Sequence, residues 1–348
     1  MPSCLCGSSL ARVRSATKAQ RHEENHPKNT KNKALTEQDY HIIPYNETHH
    51  AKAFALEKGI VQGNKIQLEI IKDHFLDRAK IFKDHYCCLA VTKDQEVIGS
   101  AMGAKTTMMI NDQASAIGVA FDTKVHPSVR GNGVGGKLVQ GVYQHFFNSS
   151  GLTKNFMIAK QSNAAVVKLA SNAVSKIWLY DFVYLTLPTT MRVRVRVPAS
   201  TQMQLLQVRL FDEESIPTEL YSAMNSGLSY FNTHKVYKLK ITKISWLYKQ
   251  GLSLMKLISR KYAGIPTEKQ TISSATLYNH NPGNIQYINQ VLEELESKGI
   301  RMLLVCCRKN DDIYESLRKA SINCYPYNIV SDFPIQKNDE IVIDVRCL

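Results

Sequence analysis

The stretch of this chain whose residue types and spacing are fit for chemistry reads Val125-His126-Pro127-Ser128-Val129-Arg130-Gly131-Asn132-Gly133-Val134-Gly135-Gly136-Lys137-Leu138. Its glycines let the backbone turn sharply and come close to a ligand. Beyond them Val134, Leu138 and Val142, with Val139, Tyr143 and Phe146, recur at three- and four-residue spacing. An amphipathic helix therefore starts inside the glycine run. Its first amides have no partner within the helix, and the helix dipole makes that end positive. A glycine-rich turn opening a helix is a preformed anion site, suited to phosphate. It is not a Walker-type loop, because Lys137 is followed by Leu138 rather than by Ser or Thr. A dinucleotide fingerprint would need a first strand-turn-helix unit and an acid on the next strand; here the turn follows Val125-His126-Pro127 and is opened by Arg130.

The elements that must position this loop are legible around it. A short strand at His41-Ile42-Ile43 ends at Pro44, and a helix carries Ala51, Phe54 and Ala55. A second helix is expected over 65–82, with Ile66 and Ile70 toward a core and Lys72, Asp73, Arg78 and Lys80 toward water. Strands follow over 86–92, 97–109 and 114–125, joined by polar turns. After the loop and its helix come a strand over 155–159, a helix over 163–174 and strands over 177–187 and 191–197. In the last of these Arg192, Arg194 and Arg196 would share one face. Residues 198–202 read as a linker. In the second half, 235–258 is helical in character and basic; such a helix can lie on a membrane, but packing on the core is the favoured reading. Then come a strand over 271–277, a turn at Asn279-His280-Asn281-Pro282-Gly283, a helix over 284–297, a strand over 301–307 and a helix over 311–320. Final strands centre on Tyr327 and Ile343.

Arg130-x-x-Gly133-x-Gly135, with its Val125-His126-Pro127 lead-in, resembles the coenzyme A pyrophosphate loop of the GNAT N-acetyltransferases, and the order of elements agrees. The resemblance implies an α+β (α/β/α) fold, a mixed, mostly antiparallel sheet with helices on both faces. It implies acetyl-coenzyme A as co-substrate and no metal. Thr123, Lys124 and Val125 would run beside the pantetheine arm, and an N–H near Val125 would polarise the thioester oxygen. The amides of Gly131, Asn132, Gly133, Val134, Gly135 and Gly136 would cradle the pyrophosphate, and Arg130 would fix the loop or a phosphate. Asn163 matches an Asn common in the family. Ala170 stands where the family places a Tyr that acts as general acid, and the usual Gly-Phe after that helix is absent. Asp122 and His126 fall on one strand face by alternation and are candidates to relay the proton an ammonium acceptor must lose; a structural His beside a turn and an exposed Asp are the bland alternatives.

The second half repeats the order of elements loosely, but its loop lacks the Arg and the Gly-x-Gly. The expectation is a tandem arrangement: a basic tail over 1–36, a GNAT domain over 38–198 and a degenerate GNAT-like domain over 199–348. An intact first loop with a degenerate second copy, and a 168–176 segment without the Tyr, resembles the histidine N-acetyltransferase and N-acetyltransferase 16 family, over most of 38–348. That family acetylates the α-amino group of free histidine, which implies a histidine-like small-molecule amine as acceptor. Protein-lysine acetylation and a non-catalytic binding module on the same fold stay open beside it.

Composition bounds the rest. The chain has 348 residues, 44% of them hydrophobic, and a net charge of +14, so a well-formed core and acidic partners are expected. Coenzyme A meets part of that charge, and nucleic acid is not the favoured partner. The eight cysteines include the adjacent pairs Cys87-Cys88 and Cys306-Cys307 in apolar runs, and no paired Cys-x-x-Cys suggests zinc. Buried reduced thiols of a cytoplasmic protein are the default. No apolar run is long enough to span a membrane. Residues 1–21 hold Arg12, Arg14, Lys18 and Arg21 and no acid; this permits a mitochondrial presequence, though a plain basic tail is preferred. Oligomeric state is not legible.

Overall fold

The computed structural model describes residues 39–348 except 62, 64, 175 and 196–204. The expected tail (1–36), the linker (198–202), Arg196 and the domain boundary at 198/199 lie outside the described residues. The first half runs β1 (Tyr40–Pro44), α1 (His50–Lys58), β2 (Ile66–Ile71), α2 (Asp77–Lys80), β3 (His85–Thr92), β4 (Val97–Ile110), β5 (Gln113–Val125), α3 (Val134–Val142), β6 (Asn155–Lys160), α4 (Ala164–Ala173) and β7 (Trp178–Pro188). The second runs β8 (Leu206–Arg209), β9 (Tyr221–Ala223), β10 (Ser229–Phe231), α5 (Thr233–Val236), β11 (Lys238–Ile244), α6 (Trp246–Ile258), α7 (Arg260–Ala263), β12 (Thr271–Ile272), β13 (Ser274–Tyr278), α8 (Ile288–Ser297), β14 (Met302–Cys307), α9 (Tyr314–Ala320), β15 (Asn323–Ser331) and β16 (Ile341–Asp344).

One sheet threads both halves in the order β1-β3-β4-β5-β6-β15-β7-β14-β13-β10-β9. Most pairings are antiparallel; β5 with β6, β13 with β14, and β8 with β16 are parallel. The halves are interleaved rather than laid end to end. β15 of the second half lies between β6 and β7, pairing with both, and β7 of the first half pairs with β14. A smaller sheet, β12-β11-β2, again joins the halves.

Strand alternation sends the adjacent cysteines to opposite faces. Cys87, Leu89 and Val91 pack with Ala53, Leu56, Phe75 and Ala79 of the α1–α2 side, while Cys88 and Ala90 pack beneath Val134, Leu138 and Val142 of α3. Cys307 packs beneath α8 and α9, and Cys306 joins the core on the other face. Burial pushes these thiols up: Cys87 is raised far above the ordinary thiol range and stays protonated, and Cys88 is raised to about 12. Gly99 and Gly103 of β4 let α3 press onto the sheet, since a Cβ at either would stand 2.8 and 2.5 Å from Leu138 and Val142.

Three expected elements differ. The 65–82 helix is β2 followed by the short α2. Ile66, Leu68 and Ile70 alternate with Gln67 and Glu69, a two-residue period that β11 turns into a ladder. The helical 235–258 stretch opens as α5 and β11 before α6 begins at Trp246. Residues 191–195 form no strand: Arg192 pairs with Glu293 and Glu296 at 3.1 and 3.3 Å, and Asn289 of α8 binds both backbone groups of Val193.

Candidate functional site

β5 and β6 pair only from Gly118 to Ala120, opposite Asn155 to Met157. Beyond that β6 keeps only β15 on its other edge, and Phe121 to Val125 have no strand partner on that side among the described residues. Two parallel strands parting in this way leave a slot bordered by unpaired backbone edge, able to pair with an extended ligand. The glycine loop closes the end of β5 above it.

Within the loop, Arg130 Nε donates to the Val125 carbonyl at 3.1 Å, fixing the turn to the strand end. His126 Nδ1 accepts from the Ser128 amide at 3.3 Å and lies 2.6 Å from Ser128 Oγ. Gly131 and Gly133 have φ of +89° and +79°, in the left-handed region that glycine tolerates. Gly133 directly precedes α3 and no side chain caps the helix. The amides of Val134, Gly135 and Gly136 have no acceptor within the helix. A Cβ at Gly131 or Gly133 would meet nothing within 4 Å, so the approach to these amides is open. Gly135 is different: its Cβ would stand 3.2 Å from Leu169 of α4, so there glycine serves helix packing. The loop thus offers an anion open amides at a positive helix end, with Asn132 and Val134 between its glycines. Asn163 stands exposed at the start of α4, its side chain making no capping bond. Ala170 is 3% exposed in the core beneath α3.

Asp122 and His126 do not share a strand face. β5 bulges against β4 between Ser100 and Met102, and Asp122 sits in the bulge with φ +48°. A non-glycine residue in that region is strained, and such strain concentrates at functional sites. The Asp122 carboxylate receives Arg78 at 2.9 Å and has Lys124 at 3.9 Å. Burial alone would raise its pKa, but Lys124 and Arg78 outweigh that and hold the carboxyl well below the usual range. Burial works against the Arg78 cation, and Asp122 keeps it charged. Lys124 turns away from the slot and pairs with Glu57, which also binds Lys72 at 2.8 Å. Glu57, Lys72 and Lys124 are all buried. Five ionisable side chains thus meet behind the end of β5, three cations against two anions, and Arg78 also donates to a Leu348 oxygen at 3.5 Å.

The second half closes this corner. The Arg78 guanidinium lies 5.3 Å from the Phe121 ring and 5.9 Å from that of Tyr237, which follows α5. The rings of Tyr184 of β7 and Tyr327 of β15 lie 5.7 Å apart, tilted to each other, and burial raises both hydroxyls well above the usual range, so they stay neutral. Arg78, Glu57, Lys72 and Tyr237 were not among the residues expected at the site. Arg78 and Lys72 read as the wet face of a helix that does not form.

The counterpart loop at 279–284 has its amides occupied. Asn281 Oδ1 accepts from Gly283 and Asn284, Asn284 Oδ1 accepts from the Asn281 amide, and Asn284 Nδ2 donates to the Asn279 carbonyl. Pro282 has no N–H to offer.

Two other features are separate. A groove of about 500 Å³ lined by Gln140, Tyr143, Asn155 and Asp332 lies toward the far end of α3, where β5 and β6 are still paired. Among the described residues, Glu47, His50 and His74 form a cluster of three potential metal ligands. The two rings face each other at 4.2 Å, and His74 Nδ1 already accepts the Leu76 amide at 3.1 Å with the Lys80 ammonium 3.3 Å away. That cation beside the His74 ring opposes a metal ion there.

The fold is similar to that of Saccharomyces cerevisiae N-myristoyltransferase with bound myristoyl-CoA. The TM-score is 0.52 at 9% identity, over 90% of this chain and 88% of that one. A second structure of that protein, with myristoyl-CoA and inhibitors, gives 0.54 at 8% identity, over 89% of this chain and 83% of that one. At such identity the likeness concerns the fold: a mixed, mostly antiparallel sheet with helices on both faces. No curated protein sequence matches the chain. No helix among the described residues is long and apolar enough to cross a membrane. Residues 56–172, which hold β3 to β6, the glycine loop and most of α4, match the model of the acetyltransferase (GNAT) family.

Proposed function

We propose that the chain is an acetyl-coenzyme A-dependent N-acetyltransferase whose acceptor is the α-amino group of a free amino acid such as histidine. The observation that carries the acyl-coenzyme A part is the uncapped start of α3, with Gly131 and Gly133 open above the slot where β5 and β6 part. The N-myristoyltransferase structures, which hold myristoyl-CoA on a similar fold, support it. Bound acetyl-coenzyme A would supply the thioester that the amine attacks. The amides of Gly131 to Gly136 hold the pyrophosphate, Arg130 holds the loop to Val125, and Thr123 to Val125 offer backbone to the pantetheine arm. Positioning then supplies much of the rate.

The acceptor side rests on Arg78. A guanidinium between aromatic rings suits a carboxylate beside a flat side chain. Asp122 is too acidic to act as base at neutral pH, and the His126 Nδ1 lone pair is engaged by Ser128. The surplus positive charge of Arg78, Lys72 and Lys124 over Asp122 and Glu57 instead lowers the pKa of an incoming ammonium, favouring the neutral amine. A thiolate leaving group is stable enough to depart without the family Tyr.

Given purified protein, acetyl-coenzyme A and a panel of free amino acids, coenzyme A release is expected to be fastest with histidine. N-acetylhistidine should form at least about tenfold faster than product from lysine or a histone-like peptide, the equivalent of about 1.4 kcal/mol. Preference for the peptide transfers the reading to protein-lysine acetylation, and no release with any amine leaves a binding module.

One cofactor site per chain follows from the self-satisfied 279–284 loop. Calorimetric titration with acetyl-coenzyme A should give a stoichiometry near one. A second equivalent persisting in a Gly133→Val variant would assign a site to the second half.

A further inference from the structure

α6 is built inside out. None of its residues is buried. Trp246, Leu247, Leu254, Leu257 and Ile258 are 69, 75, 58, 85 and 69% exposed. At 3.6 residues per turn these five fall within an arc of about 120°. They are one continuous apolar face turned to solvent. Leu252 and Lys256, on the opposite side, are half-buried against the body. The core packing expected for this stretch is therefore not what the helix does. It is tethered instead by its surroundings: the Ser245 amide donates to the Lys65 carbonyl at 2.8 Å, Lys249 pairs with Glu268 at 3.2 Å, and Lys261 reaches the Lys319 carbonyl at 3.1 Å.

The stretch of chain that carries the face has charge of one sign. From residue 220 to 267 there is no Asp or Glu, while Lys235, Lys238, Lys240, Lys243, Lys249, Lys256, Arg260 and Lys261 all fall in that interval. Lys238, Lys243 and Lys249 are exposed.

We propose that α6 lies in the interface of an anionic membrane, its Trp246–Leu257 face among the acyl chains and the lysines at the headgroups. An exposed apolar arc needs a medium without water, and leucine and isoleucine side chains have no use for a nucleic-acid backbone. A segment with eight basic residues and no acid, bordered by the one carboxylate of Glu268 on Lys249, matches anionic lipid in charge, whereas a second copy of the chain would set lysine against lysine. Trp at the border of such a face suits the headgroup level, and apolar burial plus lysine attraction together set the strength of binding. The helix has 13 residues and cannot span; it would lie flat on one leaflet.

The test uses the full chain and sedimented vesicles of phosphatidylcholine with about 30% phosphatidylserine, against phosphatidylcholine alone. Binding is expected to the first and not the second, and to fall as salt rises toward about 0.5 M, where exposed charges are screened. A Leu247→Glu/Leu257→Glu double variant changes only exposed side chains. It should keep the parent melting temperature and lose vesicle binding at least about tenfold. In a Trp178→Phe background, Trp246 fluorescence should shift to the blue on adding the anionic vesicles. No binding to them, or equal binding by the double variant, overturns the proposal. So does a parent dimer that the double variant turns into a monomer without any vesicle binding, since a second copy then covers the face.

Discussion

Gly133→Val is expected to lower acetyl-coenzyme A affinity by on the order of 100-fold, while the chain stays folded. The reasons are local. Gly133 has φ +79°, a region that costs an L side chain about 1–2 kcal/mol, and a β-branched one more. The loop can relieve that strain only by rotating the peptide that aims the first amides of α3. Each charge-assisted amide bond to phosphate contributes about 1.5–3 kcal/mol, and loss of two accounts for the expected drop. The new side chain would also project into the open space through which a ligand reaches those amides. Gly151→Ala is the control. Gly151 has φ +67° with the same empty surroundings, but it lies between α3 and β6, far along the chain from the loop. It should show the strain in its melting temperature and bind acetyl-coenzyme A as the parent does. Calorimetry showing unchanged affinity for Gly133→Val would remove the loop from the site. Gly135→Ala should act by a third route, pushing Leu169 and α4 from a Cβ contact of 3.2 Å, and so should cost stability before affinity.

The loop was legible because everything that makes it work is local: an arginine, spaced glycines and a helix period that starts among them. The β3–β4–β5 meander was legible for the same reason, each strand carrying its own alternation. β2 was not, because six residues of alternation sat among lysines and acids that also suit a helix, and its partner β11 lies far along the chain. Strand preference of that kind is decided by the neighbour rather than by the segment. The insertion of β15 between β6 and β7 left no local mark, since each strand reads the same in either position. The charged corner was hidden for another reason. Glu57, Lys72, Arg78, Asp122 and Lys124 come from α1, the end of β2, α2 and the β5 bulge. Singly, each reads as a solvated surface group. The alternation that put Asp122 beside His126 failed at the bulge, which no residue type announced. α6 failed in the opposite sense: its apolar period was read correctly, but a period does not say which way the face points.

The charged corner yields the largest expected change in stability. Glu57 has a side chain 2% exposed and holds Lys72, 1% exposed, and Lys124, 9% exposed. Glu57→Ala leaves two buried ammonium groups with one anion fewer between them. Lys72 keeps the Phe75 carbonyl at 2.9 Å, and Lys124 has only Asp122, 3.9 Å away. Breaking a buried pair from one side costs about 3–5 kcal/mol. Thermal unfolding of Glu57→Ala is therefore expected roughly 10 °C below the parent. The triple variant Glu57→Leu, Lys72→Met, Lys124→Met removes all three charges for side chains of similar bulk and should recover most of that loss, because the penalty belongs to the stranded charges. The site adds a second readout. With Glu57 gone, Lys124 is free to close on Asp122 and compete with Arg78, so the acceptor KM should move in Glu57→Ala by more than the acetyl-coenzyme A affinity, which the amides at the start of α3 set. A Glu57→Ala protein that melts within about 1 kcal/mol of the parent would mean that the two lysines do not depend on this carboxylate, and the corner would lose its centre.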